Sequence, residues 1–310
     1  MAAAEDVTAT QFSALFDDLK RWGKWGGADE RGALNLLTPA RVAAAAALVR
    51  DGVTVTLSLP LNTHAGVHNP KPADHHMTAL ASDASDTNPV HFIKDYVGAD
   101  YHNDGHSHID ALCHVAYEGK LYNARSENDV TERGSSVNSI ETLKDGLVGR
   151  GVLLDIPRAR GVPWLEPGEH VFPSDVEAAE LMQEVSVQEG DILLVRTGHA
   201  RRLAELGPWN TAEVKAGLHP TVMPLLAGRG IAALGSDGNN DTVPSSTEGI
   251  GFPIHVLAIA AMGIHLLDYL QFEDLRAACE SRRRWEFLFL AAPLLIVGGT
   301  GSPVNPIAVL

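Results

Sequence analysis

The run Tyr101–Ala116, YHNDGHSHIDALCHVA, places four histidines and two aspartates within 13 residues. Histidine is the commonest protein metal ligand and the usual acid–base group near neutral pH. The chain holds 14 histidines, and nine of them (His64, His68, His75, His76, His91, His102, His106, His108, His114) fall within 51 residues. On an extended chain alternate side chains share a face. His106, His108 and Asp110 then point the same way, neighbours being about 6.5 Å apart at ~3.3 Å rise per residue. Arms from two such positions can meet at one ion, because metal–ligand bonds are only about 2.0–2.2 Å. His108-x-Asp110 is therefore ligand spacing. His114 would lie roughly 20 Å beyond His108 on a straight strand. Either the chain bends after Asp110 or His114 does a different job, and a bend would leave it facing the ion without binding it. His102, His106, Asp110 and His114 are also four apart, as on a helical stripe. Asn103, Asp104 and Gly105 are poor helix formers, so strand then turn is preferred. Nitrogen and oxygen donors without thiolate suit Zn²⁺, Mn²⁺ or Fe²⁺.

The elements that must position these groups alternate along the chain. Phe12, Leu15, Phe16 and Leu19 give Thr10–Trp22 an apolar helical face. Thr38 followed by Pro39 reads as an N-cap with proline in the first turn, opening an alanine-rich helix that Gly52 ends. Val53–Leu59 alternates and reads as a strand. The segment 60–90, rich in Pro, Asn, Asp and His, has no sustained period. A loop that long is uncommon in a compact domain and is read as a lid or an intersubunit arm. Gly151–Ile156 and Asp191–Thr197 read as buried strands. Between them Ser174-x-x-Glu177 is a capping box for a helix to about Val185. Pro220–Ala227 reads as a helix, Ile231–Leu234 as a strand, Ile254–Met262 as a helix, Ile264–Leu267 as extended, Phe272–Arg282 as a helix and Trp285–Ala291 as a strand. The expectation is a mixed α/β fold in one domain, 1–310, with an N-terminal helical segment over 1–52.

Composition narrows the function classes. Hydrophobic residues make up 45% and charged residues 20%, as in an ordinary globule. Thirty-nine acids against 24 bases give a net charge of −15, which disfavours nucleic acid and anionic membranes as partners. Two cysteines, Cys113 and Cys279, exclude a disulfide scaffold. The start lacks a signal-peptide pattern, and Phe287–Val297 is too short to span a bilayer, so a cytoplasmic protein is expected. Ser236–Asp241, SDGNND, lacks the ordered spacing of a calcium loop and reads as a turn. Gly298–Ser302 is followed by Pro303 and no helix, which argues against phosphate cradling. Arg196 at a strand end and Trp25 are candidate substrate contacts; loop anchoring and core packing are their ordinary alternatives.

Ser107-His108-Ile109-Asp110-Ala111-Leu112-Cys113-His114 resembles the His-x-Gly-Thr-His-x-Asp-x-Pro-x-His signature of the metal-dependent cyclase family, which includes bacterial kynurenine formamidase and isatin hydrolase. His108, Asp110 and His114 match its second His, its Asp and its last His. Asp104 stands where the first His would be, His106 replaces Gly, Ser107 replaces Thr and Leu112 replaces Pro. His102 fills the first ligand position if the loop carries two extra residues, with His106 as the rival. Phe252–Leu275 resembles the family's distal block, His255 matching its His and Asp268 its acid, where Glu is usual. The ending AAPLLIVGGTGSPVNPIAV and the early WGGADERGALNLLTP resemble longer members.

The resemblance implies a cyclase-like swivelling β/β/α domain with a β-barrel-like core, and a homo-oligomer, dimer or tetramer, whose arms reach neighbouring sites. It implies a bound Zn²⁺ or Mn²⁺ held by His102, His108 and Asp110, with His255 and Asp268 completing a second position or an outer shell. Asp104 and His106 would be alternative ligands or would orient ligands. The implied activity is hydrolysis of a small-molecule amide or ester (a cyclic amide, formamide or lactone) by a metal-activated water, with His114 as acid–base. C–N bonds other than peptide bonds are the leading target. Two alternatives stand beside it: a metal-dependent lyase or cyclase acting through an enolate, and a non-catalytic metal or small-molecule binding protein.

Overall fold

The computed structural model describes residues 6–83 and 90–310. Its frame is a curled, half-barrel sheet of nine strands: β1 (Thr54–Thr56), β2 (His108–Asp110), β3 (Leu147–Asp155), β4 (Ile192–Arg196), β5 (Ala233–Ser236), β6 (His265–Asp268), β7 (Glu286–Ala291), β8 (Gly301–Pro303) and β9 (Ile307–Val309). Their order across the sheet is β1-β9-β7-β3-β4-β5-β6-β2-β8. The central four, β3 to β6, run parallel, and both flanks are antiparallel. Each parallel step needs a crossover, and helices at Pro173–Gln183, Val222–Arg229 and Pro253–Met262 supply them.

Parallel strands covered on both faces read as continuous apolar runs. GVLLDI and DILLVRT do so here. Val152, Leu154, Leu193 and Val195 face one apolar layer, packed against Phe12, Phe16, Val176 and the 253–262 helix. Leu153, Ile192 and Leu194 face the other, with Phe272, Leu275, Phe287 and Phe289. The helix Ala9–Leu19 starts one residue early because Thr8 caps it, and Leu19 rather than Trp22 is its last residue. Thr38 caps the helix Pro39–Ala46.

Three local expectations change. The Ser174-x-x-Glu177 box is not used: Pro173 occupies the first helical position, so Phe172 is the cap and its amide donates to Asp175 (2.7 Å). Within the segment 60–90, Asp74–Ala79 pairs with Lys94–Gly98 as an antiparallel hairpin, so this stretch is not loop throughout; residues 84–89 lie outside the described residues. The helix Ile254–Met262 begins at Pro253 and continues from Val256 as a π-helix, a wider turn often found beside functional sites. Among the described residues no helix is long and apolar enough to cross a membrane.

Candidate metal centre

Sheet register builds the centre. β2 lies between β6 and β8, with Asp268 opposite His108 and Gly301 opposite Asp110. Directly opposed residues share a face, so Asp268 meets His108 and Asp110 across the strand gap. A turn at Ala111–His114, closed by the His114 amide donating to Ala111 (3.0 Å), folds His114 back over the same face. Gly301 is required here: a Cβ would lie 2.5 Å from the Ile109 carbonyl oxygen and 2.7 Å from Cε1 of His102.

Asp110 is the centre of the cluster and is fully buried. Its Oδ1 lies 2.9 Å from His102 Nδ1, 3.7 Å from His108 Nε2 and 4.0 Å from His114 Nε2. Its Oδ2 lies 3.5 Å from His255 Nε2, which is 3.3 Å from Asp268 Oδ2. Two donor groups result, His102/His108/Asp110 and Asp110/His255/Asp268, each with its ligand atoms within 4.8 Å of one another.

The donors fit a cation better than they fit each other. Both Asp110 oxygens and His102 Nδ1 are buried without a properly aligned hydrogen bond, although oxygen and nitrogen are only 2.9 Å apart. Close donors that do not point at one another can instead share a third atom. Ligands about 2.1 Å from one ion lie roughly 3.0–3.4 Å apart at right-angle or tetrahedral geometry, close to the separations here. Each ring is also held by its other nitrogen: His108 Nδ1 at the His106 carbonyl (2.8 Å), His102 Nε2 at Thr300 Oγ1 (3.1 Å), His255 Nδ1 at Asp241 Oδ2 (2.5 Å). Such outer partners fix ring orientation and aim the remaining nitrogen at a metal.

Electrostatics agrees. Burial would raise the Asp110 carboxyl, but His114, His102 and His255 override it and hold it well below the usual range. Burial would lower His255, yet the nearby carboxylates of Asp268, Asp110 and Asp241 hold it well above its ordinary value. Positive charge is wanted at this spot. His114 is pushed down to about 4 by burial, against the pull of Asp110, and is neutral at pH 7. Its ring stacks on His102, 4.0 Å between centres and 4° between planes.

The cluster borders a cavity of about 550 Å³ to which Val115, Tyr117, Ile250 and Phe252 contribute apolar surface. His102, His108, His114, His255 and Asp268 all line it, as does Asp104. Asp104 is engaged elsewhere: its oxygens accept from Lys215 Nζ (3.0 and 3.3 Å) and from the Tyr269 hydroxyl. His106 does not join the cluster. The strand begins only at His108, so period-two alternation does not reach back to 106, and the ring lines a separate cleft with Ser58 and Pro303.

Two expected substrate contacts, Arg196 and Trp25, lie outside this cavity. Arg196 is 2% exposed and sits opposite Asp155 in the β3–β4 register, with ion pairs to Asp155 (2.8 Å) and Glu273 (2.7 Å). Its guanidinium ties strands to the helix Glu273–Arg282 and is out of the cavity. Trp25 packs half-buried against the core and does not line the cavity. Trp22 and Trp209 are likewise anchors, their indole N–H groups donating to the carbonyls of Ala260 and Val214.

Sequence reasoning missed the residues that hold the ligands. In SDGNND, read as a turn, Asp241 accepts from the amides of Ile254 (2.6 Å) and His255 (3.1 Å) as well as the His255 ring. Asn239 and Asn240 donate side-chain amides to Asp268 (2.8 and 2.6 Å). The usable signal was a run of polar residues between two apolar elements that turns out to be wholly buried.

A family model described as putative cyclase matches residues 55–240. The chain belongs to the cyclase family. Among solved structures, one described as a novel cyclase superposes with a TM-score of 0.87 at 32% identity, covering 95% of this chain and 99% of that one. Isatin hydrolase A from Labrenzia aggregata, bound to benzyl benzoate, gives 0.57 at 20% identity over 89% of this chain and 98% of its own. A predicted metal-dependent hydrolase from Bacillus stearothermophilus gives 0.52 at 18%, over 83% and 97%. At these lower identities the likeness is one of fold. No curated protein matches the chain in sequence.

Proposed function

We propose that the protein is a metal-dependent hydrolase that cleaves an amide or ester bond of a small molecule, of cyclic amide, formamide or lactone type. The observation that carries this reading is the buried Asp110 carboxylate, lacking any aligned donor yet ringed by imidazole nitrogens at 2.9–4.0 Å. His102, His108 and Asp110 would hold one divalent cation, Zn²⁺ or Mn²⁺. Asp110, His255 and Asp268 would hold a second or complete the first, Asp110 being shared. Such a cation, when bound, lowers the pKa of water toward 7 and polarises a carbonyl.

The remaining work falls to the chain. Neutral His114, on the cavity wall, accepts the proton of the attacking water and returns it to the departing nitrogen or oxygen. Asp241, Asn239 and Asn240 keep His255 and Asp268 from turning away. Val115, Ile250 and Phe252 supply an apolar wall that excludes bulk water around the scissile bond. Metal analysis of protein purified without chelator, followed by a panel of formamides, lactams and lactones, tests the reading. His114→Ala should keep its metal and lose about 10²–10⁴ in kcat. Metal-loaded protein that turns over none of the panel, or an eliminated product formed without consumption of water, would overturn it.

A further inference from the structure

Asp104 lines the same cavity as the candidate ligands and precedes His108 by four residues, yet its carboxylate is engaged by Lys215 and Tyr269, with a side-chain hydrogen bond from Thr211 beside them. Its Oδ1 accepts from Lys215 Nζ (3.0 Å) and from the Tyr269 hydroxyl, and its Oδ2 accepts from Lys215 Nζ (3.3 Å). Lys215 also donates to the Tyr269 oxygen (3.0 Å), closing a triangle. Both partners are buried, Lys215 at 3% and Tyr269 at 1% exposure, and among the described residues neither side chain makes a hydrogen bond outside the triangle. Tyr269 holds a left-handed backbone (φ 54°), a conformation that costs energy for any residue with a Cβ. A buried cation and a strained tyrosine thus converge on one carboxylate.

The other acids of the cavity are treated differently. Asp110 has no aligned donor, and Asp268 is held by the neutral amides of Asn239 and Asn240 with the His255 ring 3.3 Å away. Asp104 alone is paired with a lysine, the one lysine or arginine among the described residues of the cavity wall. A carboxylate released beside a divalent cation would be drawn toward it and would add a hard oxygen donor. We infer that Lys215 and Tyr269 are positioning residues that hold Asp104 off the cation, so that the centre stays rich in imidazole and selective for Zn²⁺ over harder ions such as Mn²⁺. The inference rests on the metal-centre reading proposed above.

The test is Zn²⁺ and Mn²⁺ affinity by competition with a chromophoric chelator, which needs no turnover. In Lys215→Met the Zn²⁺-to-Mn²⁺ affinity ratio should fall on the order of tenfold, because added carboxylate favours Mn²⁺. Tyr269→Phe should shift it the same way by less. Adding Asp104→Asn to either variant should restore the wild-type ratio, since the amide brings no charge to the ion. If Lys215→Met does not fold, Tyr269→Phe with and without Asp104→Asn decides the matter. An unchanged ratio in the folded variants, or a shift that survives Asp104→Asn, overturns the inference while leaving the metal centre intact. Wild-type protein that binds neither ion removes the centre and the inference together.

Discussion

Asp241→Asn isolates how much the outer contacts contribute to the centre. Asp241 is fully buried and makes three contacts within hydrogen-bond range: the Ile254 amide at 2.6 Å, the His255 amide at 3.1 Å and His255 Nδ1 at 2.5 Å. An asparagine has one acceptor oxygen and no charge, so it can cap the helix start or hold the ring, and not both fully. Loss of an outer partner of this kind costs about 10–100-fold in metal affinity, which is roughly 1.4–2.8 kcal/mol. The charge-assisted bond to the ring contributes about 1.5–3 kcal/mol to the metal-free fold as well. The assay is Zn²⁺ affinity by chelator competition, paired with thermal melts in excess chelator. The two readouts should fall together. A folded variant that binds Zn²⁺ within about twofold of wild type would show that His255 is not a ligand, or that its orientation is set by packing alone.

Further expectations follow from the same geometry. Arg196→Met strands Asp155 beside an apolar chain; breaking a buried pair in this way should cost about 3–5 kcal/mol in a denaturant titration while leaving substrate KM unchanged, and a raised KM with unchanged stability would return Arg196 to the substrate site. His199, buried and lowered to about 4 by desolvation, stays neutral in the fold while its unfolded form titrates near 6.5. Its contribution is therefore complete above pH 6.5 and is lost as pH falls toward 4, by roughly 3 kcal/mol in total; His199→Leu should flatten that acid limb of the stability curve, and an unaltered limb would contradict the assignment. The hairpin of Asp74–Ala79 and Lys94–Gly98 leaves Met77, Tyr96 and Val97 about half exposed, and a lone two-stranded hairpin is marginal in water. We propose that it docks on another copy of the chain, so replacing residues 72–99 by a short linker should lower the mass seen by light scattering; an unchanged mass would leave the hairpin without that role.

Local covalent geometry made part of this protein readable from its residues. The period of two in His108-x-Asp110 puts both groups on one face in any strand, and the weak helix formers Asn103–Gly105 kept the run from forming a helix, bending it before the strand begins at His108. Thr38-Pro39 set a helix start, and the apolar runs Val152–Leu154 in β3 and Ile192–Val195 in β4 announced a sheet covered on both sides. His255 and Asp268 were found only through the family resemblance, because no local pattern links them to a strand some 150 residues earlier. What tertiary structure alone decided is who stands opposite whom. The order β5-β6-β2-β8 sets Asp268 against His108 and brings Gly301 beneath His102. The same long-range pairing seals Arg196 against Asp155, closes Lys215 and Tyr269 on Asp104, and turns SDGNND from a turn into the scaffold of two ligands. Periodicity states which face of its own element a side chain occupies; the partner across the gap depends on strand order, which arises from the burial of the whole sheet and is not written in any short window.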